Sequence, residues 1–145
     1  MNILNKVNTF YKLAQEETIH SSYEAYQSKV NDVVNTVYYF TESLLKHNKK
    51  ALEDLKIQRE LNTRSLFILF SQMWKKIQAK NDFPEISPEM REIDKMIRAI
   101  PGILRSKFKK LYNADPILKD AFETGIKTVY SKYFFYKSIL EKYVK

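Results

Sequence analysis

Glu17-x-x-His20 has the step that sets a carboxylate and an imidazole on one side of a helix in di-iron helical proteins. Such a centre needs that motif twice, plus two further inward carboxylates. Here it occurs once, where the apolar pattern lapses. The second histidine is His47 and there is no cysteine, so disulfides and thiolate metal sites are excluded. No Gly-rich phosphate loop, nucleophile elbow or zinc-ligand spacing is present. What remains is binding chemistry. The expectation is a protein that is not an enzyme, with no cofactor and no small-molecule substrate.

Two groups of residues have the makings of a binding surface. The first is basic. The formal net charge is +8, yet residues 1–100 hold 15 basic and 13 acidic groups, while residues 101–145 hold 10 and 4. Arg105, Lys107, Lys109 and Lys110 cluster after Pro101, and Lys119, Lys127, Lys132, Lys137, Lys142 and Lys145 continue the series. A one-sided basic surface is the footprint of phosphate binding. Against it, the chain has 20 Lys and only 5 Arg, and Arg is the residue whose fork fits phosphate. The basic stretch also has no Asn or Gln to read base edges.

The second group is aromatic. Tyr38-Tyr39-Phe40 and Tyr133-Phe134-Phe135-Tyr136 each place rings on consecutive positions. Neighbours on a helix point about 100° apart, so such runs cannot share one core-facing stripe. The surplus rings are expected at a contact between chains, where Tyr, Phe and Trp are enriched. Tyr38, Tyr39, Phe134 and Phe135 are the candidates.

The elements that must carry these groups are helices. No Pro or Gly occurs before Pro84, and tight turns depend on such residues. A first helix is expected over residues 2–16, with Ile3, Leu4, Val7, Phe10, Tyr11 and Ala14 on one face and Ser21 or Ser22 capping the next. Its polar face carries only Lys6 and Lys12 as cations, which favours packing on the bundle or another subunit over a membrane surface. Tyr23, Tyr26, Val30, Val33, Val37, Phe40 and Leu44 then form a heptad-like seam, widened by Val34, Tyr38 and Leu45. The seam dissolves near residues 46–50, where a turn is expected.

Residues 51–64 are mostly polar, with Leu52, Leu55 and Leu61 as a thin stripe. Residues 65–80 are apolar almost all round, which predicts an enclosed central helix with Phe70 and Trp74 both largely buried. The segment from Asn81 to Pro84 ends it. Ser87-Pro88-Glu89 starts another helix with Ser87 as cap, and Met90, Ile93, Met96 and Ile97 give its buried face. Pro101-Gly102 is expected to break or kink that helix, and a short basic helix to cover residues 103–112. Asp115-Pro116 opens the last helix, with Ile117, Ala121, Phe122, Val129, Tyr133, Tyr136 and Leu140 facing inward.

Together these features predict an all-α fold: an irregular bundle of five or six helices, one domain over residues 1–145, longest helices first. Possible hinges fall near 46–50, 82–87 and 101–102. No run approaches the roughly 18–20 apolar residues of a membrane span, and no signal peptide is visible, so the expected location is the cytoplasm or a virion. The Lys-, Asn- and Ile-rich composition suits an AT-rich genome, as in many phages. The functional expectation is a structural or protein-interaction subunit of a larger assembly of viral or phage origin, self-associating or bound to a protein partner. The alternative is a nucleic-acid-binding accessory protein using the basic carboxy-terminal third.

Overall fold

The computed structural model describes residues 3–79 and 83–145; before Glu17 it describes only the side chains of Ile3 and Lys6. Five helices follow in order: α1 (Ile3–Leu45), α2 (Lys49–Gln78), α3 (Ser87–Lys107), α4 (Lys109–Ala114) and α5 (Pro116–Glu141). No strand occurs among the described residues, so the fold is an all-α bundle.

The longest helix, α1, runs 43 residues without the expected break at Thr18–Ser22. Ile19, Tyr23, Tyr26 and Val30 are all buried at steps of four, three and four. One unbroken helix keeps this stripe on a single face, and that burial outweighs the cap chemistry of Ser21 and Ser22. The inward positions expected at Leu4, Val7, Phe10, Tyr11 and Ala14 lie outside the described side chains, and Ile3 is exposed. The turn after Leu45 is where the seam dissolves. Asn48 caps α2 with its side-chain oxygen, which accepts from the Ala51 N–H at 3.0 Å.

The most extensive pairing in the bundle is that of α1 with α5. Tyr26 lies against Tyr133 with ring centroids 6.0 Å apart, while Phe40, further along α1, meets Gly125, further back on α5. The two helices are therefore antiparallel. A Cβ at Gly125 would collide with the Phe40 ring, so the missing side chain sets the close approach of the pair.

The chain end closes the entry to α3. Ser87 is the first helical residue rather than the cap, and its side chain makes no capping bond. Its N–H donates instead to the Lys145 carbonyl at 2.7 Å, while the Lys145 N–H donates to the Pro84 carbonyl at 3.0 Å. The tail thus supplies an acceptor for a helix-start donor that would otherwise lack one. Of the segment expected to end α2, Asn81 and Asp82 lie outside the described residues.

Pro101 does not break α3. The helix continues to Lys107 because Ile97, Ile100, Pro101 and Leu104 are all buried on one side, and ending at Ile100 would take Leu104 off the core. One lost backbone bond costs less than that burial. The basic stretch is consequently split: Arg105 and Lys107 end α3, and Lys109 and Lys110 open the six-residue α4. Asp115 caps α5 as its sequence suggests, accepting from the Ile117 and Leu118 N–H groups. Ile117 itself is exposed in the first turn, and Met96 is only half-buried.

The largest departure concerns α2. Leu66, Phe70, Met73 and Ile77 are buried, but Phe67 and Ile68 are exposed. This helix lies on the flank of the bundle rather than at its centre.

Candidate protein-interaction surfaces

The inner face of α2 is fixed by its neighbours. Phe70 sits edge-on to the rings of Tyr23 and Tyr26, and its carbonyl accepts from the Tyr23 hydroxyl at 3.0 Å. That burial pushes the Tyr23 hydroxyl up to about 12. Trp74 is half-buried, stacked on Tyr23 at 5.6 Å and beside His20 at 4.8 Å. Between Leu55 and Leu66 the inner face turns polar. Arg59 donates to Asn35 at 3.0 Å and pairs with Glu42 at 3.5 Å, and Asn62 donates to the Tyr38 hydroxyl.

The outer face of the same helix is apolar and uncovered. Ile57 is 59% exposed, Leu61 55%, Phe67 71% and Ile68 56%. At 100° per residue, Ile57, Leu61, Arg64, Ile68 and Lys75 fall within about 40° of one line, opposite the buried stripe. Phe67 lies about a quarter turn round the helix from that line, where it borders a groove with Tyr23, Gln27, Phe70 and Trp74. Beside the apolar residues lie Glu53, Glu60 and Arg64, none of which has an ion pair or side-chain hydrogen bond among the described residues.

The four aromatic candidates are not brought together. Tyr38 is fully enclosed in the chain's own core and presents no surface. Tyr39 is exposed and meets Phe40 edge-on at 5.5 Å. Phe134 lies under the Arg98 guanidinium at 4.6 Å and against Tyr130 and Tyr133, on the α3 side. Phe135 is 61% exposed, edge-on to Tyr136, with the polar exposed residues Ser131, Lys132 and Ser138 around it. Phe40 meets α5 at Gly125, and Phe135 is ten residues further on, about 15 Å along the helix. These are separate rings, not one apolar patch.

The basic group is likewise divided. Arg105 holds Glu123 in a two-pronged pair, Nε to Oε1 at 2.9 Å and Nη2 to Oε2 at 3.0 Å. The Tyr112 hydroxyl donates to the same carboxylate. Burial raises the Glu123 carboxyl, but the bonds from Tyr112 and Arg105 outweigh it and hold the group below the usual range. The Arg105 fork is therefore engaged inside the fold. Lys107, Lys109 and Lys110 are exposed, with no carboxylate partner among the described residues.

A polar cluster ties α5 to α3. Tyr133 donates to Asp94 Oδ1 at 2.9 Å, Arg98 donates to Oδ2 at 2.7 Å, and Lys137 stands 3.4 Å from Oδ1. Burial opposes ionisation of Asp94, yet these donors and charges win and lower its carboxyl. The Tyr133 hydroxyl is pushed far up, chiefly by burial. Each charge here is met by another, which suits fastening helices. Glu17 and His20 are both exposed, and no group of three metal-ligating side chains forms among the described residues. No described helix is long and apolar enough to cross a membrane.

Compared with protein-family models, curated proteins and solved structures, the chain matches none. Function has to be argued from the surface.

The outer face of α2 was only half legible in the sequence. Its signal is angular: Leu55 and Leu61 are six apart, about 240° around the helix, so they cannot belong to one stripe. Leu52 and Leu55 follow the buried side, whereas Leu61 joins Ile57 and Ile68 on the other.

Proposed function

We propose that this chain is a non-enzymatic interaction subunit, a helical module that joins an assembly through the outer face of α2. The observation that supports this reading is the set of four large apolar side chains, each more than half exposed, with Ile57, Leu61 and Ile68 along one line and Phe67 a quarter turn away, on a helix already anchored by its buried face. Scattered exposed apolar residues are ordinary, but a contiguous patch marks an interaction site. Fully burying one such side chain is worth about 1.5–3 kcal/mol. Covering what remains exposed of all four would then supply several kcal/mol towards association, before its entropic cost is met. The contact moves from the aromatic runs to α2, and Phe135 and Tyr39 become isolated surface rings.

Photo-crosslinking tests this. A benzophenone side chain at position 61 should give a protein adduct in the native source, and the same group at Ser131 on α5 should not. No adduct from position 57, 61 or 68 would remove the reading.

A second reading rests on Lys107, Lys109 and Lys110, which are exposed at the α3–α4 junction with no carboxylate partner among the described residues. Three lysines without the Arg105 fork suit non-specific phosphate contact. Replacing all three with Glu should weaken retention on DNA and RNA alike and flatten the salt dependence. Unchanged retention would exclude it.

A further inference from the structure

We infer that Lys107, Lys109 and Lys110 are one half of a composite site for a nucleic-acid backbone, and that Lys46, Lys49 and Lys50, from a distant part of the chain, are the other half. The inference rests on the reading of the first three as phosphate contacts and completes that site. The argument is helix direction. Tyr26 meets Tyr133 and Phe40 meets Gly125, so α1 runs antiparallel to α5. Asp94 meets Tyr133 and Arg105 meets Glu123, so α3 runs antiparallel to α5 as well. Both α1 and α3 therefore end where α5 begins. The turn after Leu45, the start of α2 and the short α4 lie at that same end of the bundle.

All six lysines are exposed there, and none has a carboxylate partner among the described residues. Three nearby acids are engaged: Glu42 pairs with Arg59, Glu123 is held by Arg105, and Asp115 caps α5. Glu53, Asp54 and Asp120 remain, each about a turn inside its helix. Lys49 and Lys50 stand in the first turn of α2, where the helix dipole disfavours cations, and no acid offsets them in that turn. Folding gains nothing from that placement, whereas a polyanion laid across this end meets the positive charge of both chain segments. At the opposite end Glu85, Glu89, Glu92 and Glu141 stand among the cations, so no comparable run of one sign forms. Lysines without a free arginine fork suit a backbone met by charge alone. An anionic lipid surface fits less well, because interfacial segments bury an apolar stripe, and the exposed Ile103 and Ile117 near this end sit on different helices.

Fluorescence anisotropy of a labelled DNA duplex of about 20 base pairs, titrated with the full chain over a salt series, tests the site. The wild type should bind with a log–log salt slope of about −5 if all six lysines meet phosphates, at about 0.9 per contact. The triple variant Lys46→Gln, Lys49→Gln and Lys50→Gln should weaken binding roughly tenfold or more and flatten the slope by about 2–3. Lys107→Gln, Lys109→Gln and Lys110→Gln together should do the same. The control triple Lys75→Gln, Lys142→Gln and Lys145→Gln removes equal charge from the opposite end. The length of α5, about 39 Å, exceeds the screening length, so the control should change affinity by less than about twofold. The substituted lysines are exposed, so circular dichroism should be unchanged. Lys46→Glu, in the turn outside either helix, serves as a second variant if the first triple loses helicity, and it should weaken binding several-fold.

A loss from the triple at 107, 109 and 110 with none from the triple at 46, 49 and 50 overturns the composite site and leaves the α3–α4 contact standing. No binding by the wild type, or binding indifferent to both triples, ends the parent reading as well. An equal loss from the control triple would mean that net charge alone is at work, and it overturns the site. Binding to phosphatidylserine vesicles without binding to the duplex overturns the nucleic-acid assignment.

Discussion

Helices α1 and α2 are the two longest in the molecule, and both carry apolar residues on more than one side, yet they end up in different surroundings. From Tyr23 to Leu45, α1 packs between α5 and α2, and even Tyr38, on the flank of its seam, is fully buried, with Tyr39 the large ring left exposed. α2 is covered on one side alone. Its Phe70 is in the core, while Phe67 and Ile68, three and two residues earlier, face out. An all-round apolar helix therefore has two explanations. Either its own fold buries nearly all of its apolar residues, as for α1 between Tyr23 and Leu45 apart from Tyr39, or one face serves the fold and the other is left exposed, as for α2.

The comparison breaks most easily at the inner face of α2. Phe70→Ala should cost on the order of 3–5 kcal/mol, by loss of transfer energy plus the cavity left between Tyr23 and Tyr26. Urea denaturation measures it. A cost below about 1 kcal/mol would mean that both faces of α2 are surface.

On the α1 side, the close approach at Gly125 is the feature to disturb. Gly125→Ile should cost about 1–3 kcal/mol, because the new side chain must displace the Phe40 ring between two antiparallel helices. Thermal melting reads it. No loss would show that α1 and α5 have room to separate, and that α1 is less enclosed than α2 by comparison.

A smaller effect sharpens the account of what fastens α3 to α5. Tyr133→Phe removes the hydroxyl bond to Asp94 and should cost about 1–2 kcal/mol, since hydrogen bonds to charged groups are worth more than neutral ones. The same cluster has a pH signature. The Asp94 carboxyl is held below its ordinary value near 3.8, so its stabilising contribution is fully present above that pH and is lost as the pH falls through the lowered value. Melting temperatures taken from pH 7 to pH 2 should show a steeper acid loss for the wild type than for Asp94→Asn. Parallel curves would mean that Asp94 is not held by the donors around it.

Much of the fold was legible because it is written in local spacing. The seam from Tyr23 to Leu44, the turn near residues 46–50, the Asp115 cap and the burial of Phe70 all follow from periodicity and capping chemistry. The errors share a cause. Ser21, Ser22 and Pro101 carry true boundary signals, but Tyr23, Tyr26, Ile100 and Leu104 have core partners contributed by distant parts of the chain, and that packing overrides the signals. Arg105 looked available because Glu123, 18 residues on, has no local relation to it. Tyr38 looked surplus for the same reason: its cover comes from α2, through Asn62. Which side of a two-faced helix the fold uses is not encoded in that helix at all, and so Ile57, Leu61 and Ile68 were missed.

The measurement that bears most directly on the division of α2 is the melting temperature of the triple variant Ile57→Gln, Leu61→Gln and Ile68→Gln. It should be taken at sub-micromolar concentration, where any assembly has dissociated. If the outer face contributes nothing to the fold, the midpoint stays within about 2 °C of the wild type, as for ordinary surface substitutions. A fall comparable to that of Phe70→Ala would contradict this, because it would put these three side chains in the core and leave α2 no free face to offer a partner.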